Sequence, residues 1–146
     1  MVSSTDALGR VTTSAYDPMN RLVDQTDPLG VSTRTVYDPF GNLVESTAAF
    51  NVTQEQRTTT FEWDLNDRLL STRTPKGLTN TTEYDPVRNR VVETDAQGNQ
   101  SQQLMDARGR VIKRIDARSF ATTFEYDGAG NQIAILDPRG SQTRFE

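Results

Sequence analysis

The sequence contains no cysteine and no histidine. Without cysteine there are no disulfides and no thiolate nucleophile. Without histidine there is no imidazole base, and nearly every zinc-ligand set is lost. The missing cysteine leaves the cellular compartment open. Basic charge is also short: 16 Lys and Arg stand against 20 Asp and Glu, a formal net charge of −4. That balance argues against a nucleic-acid partner, which calls for a basic surface. No apolar run approaches the ~20 residues of a membrane helix, so no membrane span is expected. The opening Met1-Val2-Ser3-Ser4-Thr5-Asp6 has neither a basic nor an apolar region of the signal-peptide kind. Apolar residues make up 34% of the chain, against roughly 45–50%, glycine included, in ordinary globular domains. A closed globule with a thick core is therefore not expected. A repeated thin sheet needs less apolar material, because each unit buries its face on its neighbours.

What the chain does contain is one phrase written six times. In Val36-Tyr37-Asp38-Pro39-Phe40-Gly41-Asn42-Leu43-Val44 an aromatic ends a β-like run, Asp-Pro-Phe-Gly turns the chain, and two aliphatics start it back. The aromatic position falls at Tyr16, Tyr37, Trp63, Tyr84, Met105 and Tyr126, with gaps of 21, 26, 21, 21 and 21 residues. An aspartate follows each: Asp17, Asp38, Asp64, Asp85, Asp106 and Asp127. A fixed period of this size is the signature of a repeat architecture.

Each unit carries two turns. Asp6-Ala7-Leu8-Gly9 leads into Arg10 to Tyr16, and Asp17-Pro18-Met19-Asn20 leads into a return run, Arg21 to Thr26. Asp at the first position, Pro at the second and Gly at the fourth suit type I turns: Asp accepts backbone bonds, Pro presets φ and Gly tolerates the exit. All six prolines sit at the second position, and eight of the nine glycines, Gly41 among them, sit at the fourth. The runs between turns are rich in Thr, Val and aromatics and have the length of strands in antiparallel hairpins. Aromatics fall at the last strand position and two residues before it, as in Phe61 with Trp63 and Phe124 with Tyr126, which places both on one face. The return runs add aliphatics such as Leu22, Leu43, Leu69 and Val111, with Arg90 and Gln132 in the same slot of their own units.

The period breaks between Leu43 and Trp63, where the unit is five residues longer and a segment at 47–57 replaces Asp-Pro-x-Gly. It is expected to form a surface loop, the place where a specific contact is most to be sought. The chain stops at Arg144-Phe145-Glu146, one residue short of the next expected tyrosine. That position suggests a single array, 1–146, of six repeats and part of a seventh, taken from a longer protein.

The repeated Tyr-Asp-Pro-x-Gly-Asn/Arg-Leu-Val with a downstream Asp-Pro-x-Gly resembles the YD repeats of the Rhs family. Bacterial Rhs proteins, insecticidal toxin-complex shell components and teneurins carry such repeats. The resemblance covers essentially the whole chain. It implies an all-β fold: a meander of antiparallel β-hairpins forming a curved open sheet, one segment of a β-shell. It also implies the partners, namely the rest of the parent shell and an enclosed toxin or effector polypeptide, and a secreted or cell-surface bacterial location. The family's self-cleaving region is not recognisable here. Asp27-Pro28-Leu29-Gly30-Val31 looks like its cleavage motif but sits in register as an ordinary repeat turn.

Several sharper functions are weighed against this. The Tyr/Trp column could stack on sugar rings, but its spacing follows the period of the fold, as a packing layer's does. The periodic aspartates could ligate calcium, but that requires several oxygens converging on one ion, and each of these precedes its own turn. No acid pair among the twenty stands out for glycoside hydrolysis. Asn51-Val52-Thr53 and Asn80-Thr81-Thr82 match the glycosylation pattern as a Thr/Asn-rich chain does by chance. The sequence thus predicts a structural wall segment with no catalysis, cofactor or metal. A surface module that binds carbohydrate or protein is the competing function. Unpaired edges at the terminal strands are expected to promote self-association.

Overall fold

A computed structural model describes residues 1–145. Among the described residues it contains fourteen strands and no helix. The chain divides into two compact units, Met1–Thr79 and Asn80–Glu146. The first holds β1 (Val2–Thr5), β2 (Val11–Tyr16), β3 (Leu22–Thr26), β4 (Ser32–Tyr37), β5 (Leu43–Ala48), β6 (Arg57–Trp63) and β7 (Leu69–Arg73). The second holds β8 (Thr79–Asp85), β9 (Arg90–Thr94), β10 (Gln100–Met105), β11 (Val111–Ile115), β12 (Ala121–Tyr126), β13 (Gln132–Leu136) and β14 (Gln142–Arg144). Within each unit every strand pairs antiparallel with the next, giving the open hairpin meander that the repeat pattern predicts.

The turns follow from their residues. In Asp27-Pro28-Leu29-Gly30 the Gly30 N–H donates to the Asp27 carbonyl at 2.9 Å, and the Asp27 N–H donates to the Val31 carbonyl at 3.0 Å. This is a type I turn closed by a residue in the left-handed region, a three-residue hairpin loop. Gly30 has φ +81°. At three turns whose fourth residue is not glycine the backbone still goes left-handed there, at Asn20 (φ 61°), Asp67 (φ 57°) and Ser119 (φ 66°). The turn geometry therefore overrides the intrinsic preference of these residues. Asp27 to Val31 forms a repeat turn, as its register requires.

The second turn of most repeats carries an additional irregularity. Tyr37 pairs with Leu43 but Val36 pairs with Glu45, so Val44 is the extra residue of a β-bulge. The same shift occurs beside Tyr16, Trp63, Met105 and Tyr126. Bulges raise the local right-handed twist, so each of these five repeats adds twist at the same place. Repeat four departs from this. Its hairpin has no bulge: Tyr84 faces Val91 and Asp85 faces Arg90. Arg90 thus does not occupy the slot of Leu22, as its sequence position suggests, and Val91 takes that slot. The cause lies in the turn, where the fourth residue is Arg88 and the left-handed φ moves one position on, to Asn89 at 47°.

The core is thin, as the composition implies. The buried apolar residues are Val92 and Ala134, at 6% and 2% exposure, and Thr47 is buried at 4%. Among the described residues no large side chain is fully buried. Stability must therefore come from many half-buried strand contacts and from satisfied backbone groups.

Candidate functional site: the turn row and its links between repeats

The aspartate after each aromatic uses its whole carboxylate on its own turn. Asp17 Oδ1 accepts the N–H groups of Met19 and Arg21, both at 2.9 Å, and its Oδ2 accepts Arg21 Nε at 2.7 Å. Asp106 repeats this with Arg108 and Arg110. Asp64 does so with Asn66 and Arg68. Asp38 and Asp127 use asparagine instead, with Asn42 Nδ2 at 3.1 Å and Asn131 Nδ2 at 2.9 Å on Oδ2. Asp85, on its longer turn, takes Arg88.

These bonds hold the carboxylates in the charged form. Asp17 lies below the ordinary aspartate range chiefly through the Arg21 N–H; burial opposes the shift and the Arg21 side chain adds to it. For Asp106 the Arg110 N–H and then its side chain act in the same direction. At Asp38 burial pushes upward, and the N–H and amide of Asn42 with the N–H groups of Gly41 and Phe40 outweigh it. Asp127 is lowered by the amide and N–H of Asn131. Oxygens bound in this way are not presented to an ion. Among the described residues no three acids gather as a metal-ligand group.

Tyr37, Trp63 and Tyr126 belong to links between repeats. The Arg21 guanidinium carbon lies 4.8 Å from the centre of the Tyr37 ring, and Arg21 Nη1 donates to the Asp38 carbonyl at 3.2 Å. In the second unit Arg110 lies 4.7 Å over Tyr126 and donates to the Asp127 carbonyl at 3.3 Å. Trp63 Nε1 donates to the Leu43 carbonyl at 2.8 Å, and the Tyr126 hydroxyl to the Val111 carbonyl at 2.8 Å. The Thr35 hydroxyl donates to the Leu22 carbonyl. Leu22, Leu43 and Val111 all sit at bulges, so a side chain of the following repeat satisfies a carbonyl there.

Sequence reasoning missed one regularity that the geometry exposes. The residue four after each of these aspartates alternates: Arg21, Asn42, Arg68, Asn89, Arg110, Asn131. Arg21 and Arg110 reach forward onto a tyrosine, whereas Asn42 reaches forward to Asp67 Oδ1 at 2.8 Å. The repeat of 21 residues is thus written within a longer period of two hairpins. Tabulating the position by repeat number would have revealed it.

The segment between β5 and β6 is shorter than 47–57: Thr47 belongs to β5 and Arg57 to β6, leaving 49–56 as loop. It is docked as well as exposed. Phe50 stacks on Arg34 at 3.6 Å, and its N–H donates to the Ser32 carbonyl at 2.8 Å. The Asn51 side chain accepts from the Ser32 N–H at 2.9 Å and donates to the Gly30 carbonyl at 2.6 Å. Asn51 thereby replaces a strand backbone at the start of β4. The open depression lined by Asn80, Thr82, Glu93 and Ser101 carries no aromatic ring.

Chemically, then, the row of repeat positions is a set of structural ties. No curated protein matches the sequence. Solved structures do share its fold. TcdB2-TccC3-Cdc42 superposes with a TM-score of 0.64 over 86% of this chain at 18% identity. TcdB2-TccC3-TEV gives 0.56 over 92% at 16%. The Photorhabdus luminescens Tc holotoxin pore with a mutant TccC3 gives 0.55 over 93% at 16%. This chain spans 7% to 9% of the length of those chains. A family model described as RHS Repeat matches residues 1–31, 20–53 and 106–144, more than half of the sequence. The chain belongs to the RHS repeat family.

Proposed function

We propose that this chain is a wall segment of a larger RHS-repeat shell that encloses a toxin or effector polypeptide, and that it does no catalysis of its own. It acts as one array of six repeats and part of a seventh within a longer secreted protein. Its partners are the neighbouring repeats of that protein and the enclosed chain. The observation that carries this is the forward tie, Arg21 to Tyr37 and Asp38, and Arg110 to Tyr126 and Asp127. Each tie hands its far end to the next repeat, so the device extends with the number of repeats and encloses no site of its own. Twist added at every bulge bends such a strip as it lengthens. The likeness in fold to Tc toxin structures supports the same role.

The carbohydrate alternative has less to stand on. A sugar ring needs an open aromatic face, and the Tyr37 and Tyr126 rings each carry a guanidinium. The test is protease protection in the full-length parent protein. The polypeptide downstream of the repeats should survive digestion while the repeats are folded and be degraded once they are unfolded. Equal digestion in both states would rule out enclosure. Glycan binding that disappears in Tyr37→Ala and Trp63→Ala chains that remain folded would favour the surface-module function.

A further inference from the structure

The regular pattern of the turns fails twice at one place. The 49–56 insertion ends there, and the turn opposite it, Thr74-Pro75-Lys76-Gly77, begins with threonine. The corresponding turns begin with Asp6, Asp27, Asp95, Asp116 and Asp137. Thr74 still closes its turn: the Gly77 N–H donates to its carbonyl at 2.9 Å, and the Leu78 N–H lies 3.2 Å from its hydroxyl. The replacement keeps the fold of the turn and removes its negative charge.

A depression opens beside it, lined by Gln56, Arg57, Thr74, Pro75, Lys76 and Leu78. Arg57 and Lys76 are exposed, and neither forms an ion pair among the described residues. Pro75 and the half-exposed Leu78 supply an apolar floor. Gln56 is already anchored, its amide donating to the Phe50 carbonyl. Of the nearby acids, Glu62 accepts the Ser71 hydroxyl at 2.8 Å, and Glu55 does not line the depression.

We propose that this depression binds a small organic anion, an apolar ring or chain bearing a phosphate group, with the anion between Arg57 and Lys76 and its carbon body on Pro75 and Leu78. Two unneutralised cations beside an apolar floor match both halves of such a ligand. The site rests on this chain's own residues and is independent of the shell function. Elsewhere the repeat aspartate would repel such a ligand; at Thr74 it cannot.

The probes are phenyl phosphate, inorganic phosphate and phenol, titrated into the 146-residue chain and followed by amide NMR shifts. Phenyl phosphate should give saturable shifts at Gln56, Arg57, Thr74, Lys76, Gly77 and Leu78. Inorganic phosphate, lacking the apolar body, and phenol, lacking the charge, should each bind at least about tenfold more weakly. Arg57→Gln with Lys76→Gln should weaken phenyl phosphate by about tenfold or more. Thr74→Asp should do the same while the chain stays as stable, because aspartate restores the turn bonds of the other repeats. Arg118→Gln, which removes a cation from a turn that keeps its aspartate, should change nothing. Absence of saturable shifts at these residues, or an equal loss in Arg118→Gln, would overturn the proposal.

Discussion

Arg21 and Tyr37 belong to different repeats, and the guanidinium carbon of one lies 4.8 Å from the ring centre of the other. The same side chain donates backward to Asp17 at 2.7 Å and forward to the Asp38 carbonyl at 3.2 Å. It also reaches the next turn, since a Cβ built on Gly41 would lie 3.8 Å from Arg21 Nη1. One arginine therefore sets the distance between two successive turns. Arg21→Gln should cost about 1–2 kcal/mol, one hydrogen bond and one cation–π contact. A double-mutant cycle with Tyr37→Leu, read by urea denaturation, should give a coupling of about 0.5–1 kcal/mol. Strict additivity would mean that the contact does not tie the repeats.

The Tyr126 hydroxyl satisfies the Val111 carbonyl at 2.8 Å. Tyr126→Phe keeps the ring under Arg110 and removes only that bond, so it should destabilise by about 1 kcal/mol. The loss should be visible as faster amide exchange in β11 and β12. A sugar-stacking role for the ring predicts no change in exchange.

Turn residues with left-handed φ can be tested in both directions. A Cβ on Gly30 meets nothing within 4 Å, so Gly30→Ala tests the backbone alone and should cost about 1–2 kcal/mol. Ser119→Gly relieves the same strain and should stabilise by up to about 1 kcal/mol. Denaturant midpoints moving in opposite directions would bear this out.

The capped aspartates make stability acid-sensitive. Asp17, Asp38, Asp64, Asp106 and Asp127 all have folded values below the ordinary one. In the interval between the folded and the unfolded value the unfolded chain binds more protons, so stability rises with pH there. Their contribution is complete above about pH 5 and is lost as pH falls below it. Thermal midpoints should be flat from neutral pH down to about pH 5 and then drop steeply. Asp38→Asn should flatten that drop and lower the neutral midpoint. A midpoint independent of pH down to strongly acidic conditions would mean that these caps contribute little.

Among the described residues β1 pairs only with β2, and β14 only with β13. Their open edges should make the 146-residue chain associate as concentration rises, and light scattering would detect it. A lysine placed at Ser3 or at Thr143 should suppress it.

Much of this was legible in the sequence because turns are local. Asp-Pro-x-Gly specifies its own conformation within four residues, so strand positions, hairpin pairing and the single face of Phe61 with Trp63 could be written down without coordinates. Arg90 shows where locality ends. Counting from Tyr84 placed it in the slot of Leu22, but that turn is one residue longer, with its left-handed residue at Asn89, and the slot passes to Val91. The loop at 49–56 was legible as a break in the period, whereas its docking through Phe50 and Asn51 was not. Those contacts join residues about 20 positions apart, and no local preference encodes them.

The sequence by itself determined where the chain turns, because turn chemistry acts between residues only a few bonds apart. Only the tertiary structure decided what the repeated side chains are for. The guanidinium of Arg21, the ring of Tyr37 and the Asp38 carbonyl meet across two strands, and the distance between them depends on a bulge that side-chain identity alone does not specify.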